Sequence, residues 1–308
     1  VNSNIEDVTR AKSFSFVPGH RLDRFAKAVK TGADQIGLDF EDAVGPELKT
    51  VARENVDRWL ASGGLGIVRI NDMESAWYDE DVAMLTSRVC VVMLPKIIDP
   101  AQVSELLSKL LHGSAALAIL EAAVSIADAR GVCGVAGVVR AVFGNADLSA
   151  ELGVDPASRV ALDVARSQIV PASAACSIAP PVDGATLDLA DESVLIADTS
   201  HAVELGFSAK VCLHPRQVPI VNSAFTPSGG DLRWAEGVAA AAMTSNSIKR
   251  STTRSLVSQS SNVRSACWRS HADVRRREFK AHVRKRPTAC EIGRWGFDAS
   301  RIGSEAKS

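Results

Sequence analysis

The sequence predicts an α/β protein, a closed (β/α)₈ TIM barrel followed by an irregular basic C-terminal tail. Three observations carry this prediction. Eight short runs rich in β-branched and other apolar residues alternate with helical stretches over residues 1–225, which implies parallel strands joined by right-handed crossovers. No G-x-G-x-x-G follows the first run, which argues against an open dinucleotide-binding sheet. The runs also tend to end in a charged or hydrogen-bonding residue, as strands do when their C-termini converge on the mouth of a barrel.

Taken in order, the first run is Lys12–Pro18, which leads into Gly19, His20 and Arg21. The second, Gln35–Asp42, carries Asp39, Glu41 and Asp42 at its end. Leu48, Ala52, Val56 and Leu60 then form one helical stripe, and Pro46 suits a first turn, where a missing N–H costs nothing. The third run, Gly66–Asn71, ends in Arg69 and Asn71, and the fourth, Val91–Lys96, ends in Lys96. Pro100 opens the next helix, whose stripe is Val103, Leu106, Leu107 and Leu110. The fifth run is Ala116–Glu121, and the sixth is Val138–Gly144, followed by Asn145 and Asp147. Pro180–Ala185, with Asp183, and Ala209–His214 complete the set.

Chemistry follows from what these ends bring together. Glu121 and Asp147 sit at neighbouring strand ends with no Cys or His nearby in sequence, a donor set that suits a hard, oxygen-loving cation such as Mg²⁺. The competing reading of Asp147 is an N-cap for a helix beginning at Leu148. Glu41 and Asp42 either support metal-bound waters or neutralise Arg69 and Lys96. Arg69 offers a guanidinium that matches a carboxylate bidentately, and it could serve either a ligand or those acids. Arg21, Arg24 and Lys27 form a basic cluster that fits a phosphate-bearing cofactor or a solvated helix face. His214 stands at a strand end, as a structural or substrate-proximal group, while His201 and His112 are placed on predicted helices without a role.

Composition bounds the rest. A chain of 308 residues that is 46% hydrophobic and 23% charged can bury a full core, which excludes disordered, collagenous and small disulfide-scaffold classes. No apolar stretch approaches the roughly 20 residues of a membrane span, and the first residues lack the basic-then-apolar order of a signal peptide. The six cysteines are dispersed without a C-x-x-C pair, so a reduced, cytoplasmic protein is expected. The net charge of −1 conceals two unlike regions. Residues 244–308 hold 15 Lys+Arg against 5 Asp+Glu, which leaves 20 against 31 for residues 1–243. The reading is a barrel domain over 1–243 and a Ser/Arg-rich, weakly ordered tail over 244–308. The tail reads more readily as solvated chain than as a nucleic-acid arm, since no RNA- or DNA-binding signature accompanies the charge.

Seven short stretches in order resemble the citrate lyase beta-subunit family, part of a wider group of Mg²⁺-dependent C–C lyases that includes malyl-CoA lyases and pyruvate aldolases. They are LDFEDAV (38–44), VRIN (68–71), LPK (94–96), AILEA (118–122), FGNADLSAELG (143–153), PVDGATLDLAD (181–191) and GFSAKVCLHPRQVPIVNSAF (206–225). Ala122 stands where the family usually has a hydroxyl residue, and Ala209 where it usually has glycine. After Met243 nothing matches the family's lid segment. The resemblance implies a lyase acting on a 3-hydroxyacyl-CoA thioester, with a citryl-CoA-like substrate giving oxaloacetate and acetyl-CoA. It implies Mg²⁺ on Glu121 and Asp147, and a keto-acid carboxylate bound by Arg69 with Glu121 and Lys96 beside it. It further implies catalytic support from Glu41 and Asp42, CoA phosphates on Arg21, Arg24 and Lys27, and a homo-oligomer, a trimer in relatives. Two alternatives accompany it: a barrel that binds CoA or keto acid without turnover because its C-terminus is altered, and an aldolase acting on free keto acids.

Overall fold

Strands form in all eight predicted places: β1 (Ser13–Pro18), β2 (Gln35–Asp39), β3 (Ile67–Arg69), β4 (Val91–Leu94), β5 (Ala115–Leu120), β6 (Val138–Phe143), β7 (Ala179–Asp183) and β8 (Ala209–Cys212). The structure is a computed structural model that describes residues 5–230 together with Arg233, Trp234 and Gly237. The predicted boundary at 243/244 and the basic tail over 244–308 lie outside the described residues. The strands pair in parallel and in sequence order, and β8 closes on β1 to complete the barrel. All eight C-termini therefore open at one end, as the charged run ends require.

The predicted runs overshoot at that end. Phe40–Asp42, Asn71, Lys96, Glu121, Gly144 and Leu213–His214 lie beyond their strands, in the loops of the mouth. One ladder-like bond persists past several strands, from Phe40 N–H to the Arg69 carbonyl (2.9 Å) and from Gly144 N–H to the Leu120 carbonyl (3.0 Å), after which the chain turns away.

Alternation along the strands separates two cores. Phe14, Ile67, Met93, Leu117, Ile119, Val142, Val182 and Ala209 fill the inside of the barrel. Leu38, Val68, Val92, Ala118 and Phe143 face outward, against the helices. The predicted stripes supply the other half of that layer: Ala52, Val56 and Leu60 from helix Lys49–Ala61, and Val103 and Leu106 from helix Pro100–Lys109, with Leu110 just after it. Pro46 begins a 3₁₀ turn, Pro46–Leu48, ahead of the first of these helices. Pro100 is the first residue of the second, whose Asp99 side chain accepts the Ala101 N–H at 2.7 Å as its N-cap. His201 lies on helix Glu192–Leu205 as expected, but His112 sits in a turn, because its helix ends at Lys109.

The far end of the barrel is stopped by helix Ile5–Arg10, which packs against β6 and β7. Arg140, fully buried, donates to the carbonyls of Val8 (3.0 Å), Ala11 (2.8 Å) and Pro180 (2.7 Å) and lies over the Phe14 ring. A second buried charge group occupies the layer outside the barrel. Asp183 accepts from Arg166 (2.9 Å) and Lys210 (2.6 Å). Burial would raise its pKa, but the two cations overcome that and hold the carboxyl below its ordinary range.

No helix among the described residues is long and apolar enough to cross a membrane. Cys90, Cys133 and Cys212 are buried free thiols, and burial pushes Cys133 up to about 11 and Cys212 up to about 12. They pack as small hydrophobes.

Candidate active site

The open end of the barrel holds a cavity of about 930 Å³. Its floor is apolar, with Phe16, Met93, Ile119, Val142 and Val211 from inside the barrel. Charged groups ring it: Asp39, Asp42, Arg69, Glu121 and Asp147, with Arg21, Arg24 and Lys27 at the rim. The sequence-predicted residues thus meet in one place, except that Glu41 and Lys96 stand beside the cavity and not among its lining residues.

Glu121 follows β5 and is 5% exposed. Its Oε1 accepts the Lys96 N–H at 2.7 Å. Lys96 achieves this in a left-handed backbone conformation (φ 50°), which non-glycine residues seldom adopt and which concentrates at functional sites. Asp147 lies on the next loop, in the first turn of helix Asn145–Leu152. The helix starts earlier than expected, so Gly144 is the N-cap and the capping role read for Asp147 does not hold. Asn145 fixes that helix start by exchanging two hydrogen bonds with the backbone of Ala185, at 2.9 and 3.0 Å.

Glu121 has its room because of a missing side chain. A Cβ at Gly144 would lie 2.4 Å from the Glu121 Cβ and 2.5 Å from its Oε2, so only glycine lets this carboxylate pack here. Gly144→Ala is expected to displace the Glu121 carboxylate and weaken Mg²⁺ binding by about tenfold or more, as read by titration calorimetry. Unchanged affinity would show that the packing is incidental.

Across the mouth, Arg69 stands among three acids. Its Nε and Nη2 donate to the two oxygens of Asp39, both at 2.7 Å, and its Nη1 lies 2.9 Å from Glu41 and 3.3 Å from Asp42. The bidentate contact expected of this guanidinium is therefore made, but to the protein's own Asp39. What remains for a ligand is the Nη1 side, shared with Glu41 and Asp42. Sequence reasoning marked Asp39 only as a strand end; its pairing follows from the register in which Asp39 of β2 lies opposite Arg69 of β3. The Lys96 ammonium lies 3.1 Å from Glu41.

At the rim, Arg21 is already paired with Asp23 at 2.9 Å, whereas Arg24 and Lys27 are exposed and carry no ion pair among the described residues. His214 lines the cavity, with Nδ1 accepting the Arg216 N–H at 3.2 Å.

Away from the basic rim, Asp39, Glu41, Asp42, Glu121 and Asp147 outnumber Arg69 and Lys96. Burial, then the charge of Glu41, then Asp147 push Glu121 up to about 8, despite the Lys96 N–H. Burial and the charge of Asp42 push Glu41 up to about 7, against Arg69 and Lys96. This balance suits a cation, and Glu121 and Asp147 would offer it carboxylate oxygens, the donor type that fits Mg²⁺.

The sign of the pH effect follows. Both folded-state values lie above the ordinary glutamate value of 4.5, so the folded protein holds protons that the unfolded chain releases. The metal-free protein is expected to lose stability as pH rises from about 4.5 through about 8, and Mg²⁺ to restore more at pH 8 than at pH 5. Thermal melts with Mg²⁺ or EDTA check this, and a magnesium-induced shift that does not grow with pH contradicts it.

Residues 12–215 match the HpcH/HpaI aldolase/citrate lyase family. A citrate lyase subunit beta-like protein of Mycobacterium tuberculosis is 33% identical over 234 residues, covering 73% of this chain and 83% of that protein. A (3S)-malyl-CoA thioesterase of Cereibacter sphaeroides is 30% identical over 230 residues, covering 73% and 80%. Among solved structures, protein CitE of Mycobacterium tuberculosis in complex with magnesium, acetoacetate and coenzyme A superposes with a TM-score of 0.65 at 32% identity, covering 77% of this chain and 90% of that one.

Proposed function

The chain belongs to the HpcH/HpaI aldolase/citrate lyase family, and on that premise we propose that its barrel is a magnesium-dependent carbon–carbon lyase acting on a 3-hydroxyacyl-CoA thioester, with a citryl-CoA-like substrate yielding oxaloacetate and acetyl-CoA. The observation that carries this reading is the pair Glu121 and Asp147, adjacent over an apolar floor and short of positive charge.

In this reading Glu121 and Asp147 hold the metal. Bound Mg²⁺ supplies Lewis-acid polarisation of the substrate oxygens. Arg69 turns its Nη1 side toward the keto-acid carboxylate and keeps its orientation through Asp39, so no reorganisation is needed as charge develops. Glu41, with a pKa of about 7, can hold or release a proton at its carboxylate between Arg69 and Lys96. Lys96 orients Glu121 through its N–H and offsets the charge of Glu41 through its ammonium. Arg24 and Lys27, unpaired at the rim, suit CoA phosphates, with Arg21 partly committed to Asp23. The apolar floor excludes water from the reacting carbons.

Incubation with citryl-CoA, malyl-CoA or citramalyl-CoA, with Mg²⁺ or EDTA, tests the reading. Keto acid and a shorter acyl-CoA are expected with Mg²⁺ alone. The similarity to a (3S)-malyl-CoA thioesterase supports one second reading, hydrolysis of the thioester. Free CoA thiol without keto acid would select it, and activity that ignores chelation would remove the metal from both.

A further inference from the structure

Behind the acidic turn Phe40–Asp42 runs a buried chain of polar groups that does not reach the cavity. The Lys49 ammonium donates to the carbonyls of Phe40 (2.6 Å) and Glu41 (3.0 Å) and to Asn71 Oδ1 (2.6 Å). All three of its protons are thereby used, and it lies over the Trp77 ring. Asn71 is locked in turn: its N–H and its Nδ2 both donate to Asp81 Oδ2, at 2.9 and 2.6 Å. The other oxygen of Asp81 accepts from Arg53 at 3.0 Å. Lys49 is 5% exposed, Asn71 2% and Asp81 fully buried, and none of them lines the cavity.

The two carbonyls that Lys49 grips belong to the residue before Glu41 and to Glu41 itself. From there the carboxylates of Glu41 and Asp42 extend to Arg69 and Lys96. Peptide planes pinned at both carbonyls leave the Glu41 side chain only its own rotamers, so Lys49 sets where the acids can stand. With no proton to spare and no path to the cavity, Lys49 has no direct part in chemistry.

We infer that Lys49 and Asn71 are positioning residues which, by fixing the backbone of the turn Phe40–Asp42, set where the Glu41 and Asp42 carboxylates stand against the Nη1 side of Arg69, the side that Asp39 leaves for a ligand. The inference rests on the reading that Arg69 and a metal on Glu121 and Asp147 hold a keto acid together. Loss of the clamp should act on the anion-binding side and leave the metal carboxylates, on other strands, in place.

Calorimetry with Mg²⁺ and then with oxalate, a planar dianion, separates the two. The unaltered protein is expected to bind oxalate only when Mg²⁺ is present. Lys49→Met, with its fold checked by circular dichroism and melting, is expected to lose about tenfold or more in oxalate affinity while its Mg²⁺ affinity stays within about threefold. Asn71→Ala leaves the ammonium on both carbonyls and should show a smaller loss in the same direction. Lys49→Arg, which restores a cationic donor, should recover part of the loss. Unchanged oxalate affinity in folded Lys49→Met, or an equal loss of Mg²⁺ and oxalate, overturns the inference. If neither Lys49→Met nor Asn71→Ala folds, the pair is a stability element and the inference is equally overturned. An unaltered protein that binds oxalate no better with Mg²⁺ than with EDTA overturns the functional reading itself.

Discussion

Glu121→Gln is expected to lower Mg²⁺ affinity by about 100-fold and activity by 10² to 10³, about 3–4 kcal/mol of transition-state stabilisation. The substitution preserves shape and can still accept the Lys96 N–H, so the loss isolates charge from packing. The same change should affect stability in the opposite sense. Glu121 is buried, and the charges of Glu41 and Asp147 add to the cost of ionising it, with the result that its pKa stands at about 8. A neutral amide removes that cost, so the metal-free variant should melt higher than the unaltered protein by a margin that opens above about pH 4.5, grows until about pH 8 and is gone below about pH 4.5. Opposite signs in function and stability mark a residue retained for its ligand. A variant that keeps Mg²⁺ affinity and activity would sink both the metal assignment and the lyase reading.

The largest effect on stability is expected at Asp183. Its carboxylate satisfies both Lys210, 1% exposed, and Arg166, so Asp183→Leu strands two buried cations and should cost about 3–5 kcal/mol. Lys210→Met should cost less, because Arg166 still answers the carboxylate. The double variant Asp183→Leu/Lys210→Met should be more stable than Asp183→Leu alone. Only Arg166 is then left over, and it has Asp163 at 3.5 Å to turn to. Denaturant unfolding of the four proteins gives the coupling directly, and additive losses would show that the group does not act as a unit.

Much of the barrel was legible because its signals are local. Apolar runs, helical stripes and the prolines at helix starts depend on spacing within a few residues. The charged ends of the runs also pointed to the cavity: Arg69, Glu121 and Asp147 were legible as residues that parallel strands must bring to one mouth, and all three line it. What was not legible depends on register and on loop direction. Asp39 reads as one more strand-end acid until its place opposite Arg69 is known, and that pairing changes what Arg69 has left to offer. Glu41 and Asp42 read as the end of a strand, but they belong to a turn whose carbonyls face a lysine nine and eight residues onward. Lys49 itself looks like an ordinary first-turn residue of a helix. The early start of the helix bearing Asp147 depends on Asn145 meeting Ala185, 40 residues away.

The stopper at the far end of the barrel has a consequence for how the barrel is held together. The guanidinium of Arg140 finds two of its acceptors at Val8 and Ala11, which precede it by 132 and 129 residues. A six-residue helix cannot persist unaided, so this segment takes its shape only once the sixth and seventh strands are there to pack against. Losing residues 5–11 would thus do its damage at a distance, by taking both acceptors from the Arg140 Nη1 while Pro180 and Ser208 still answer the rest of the guanidinium.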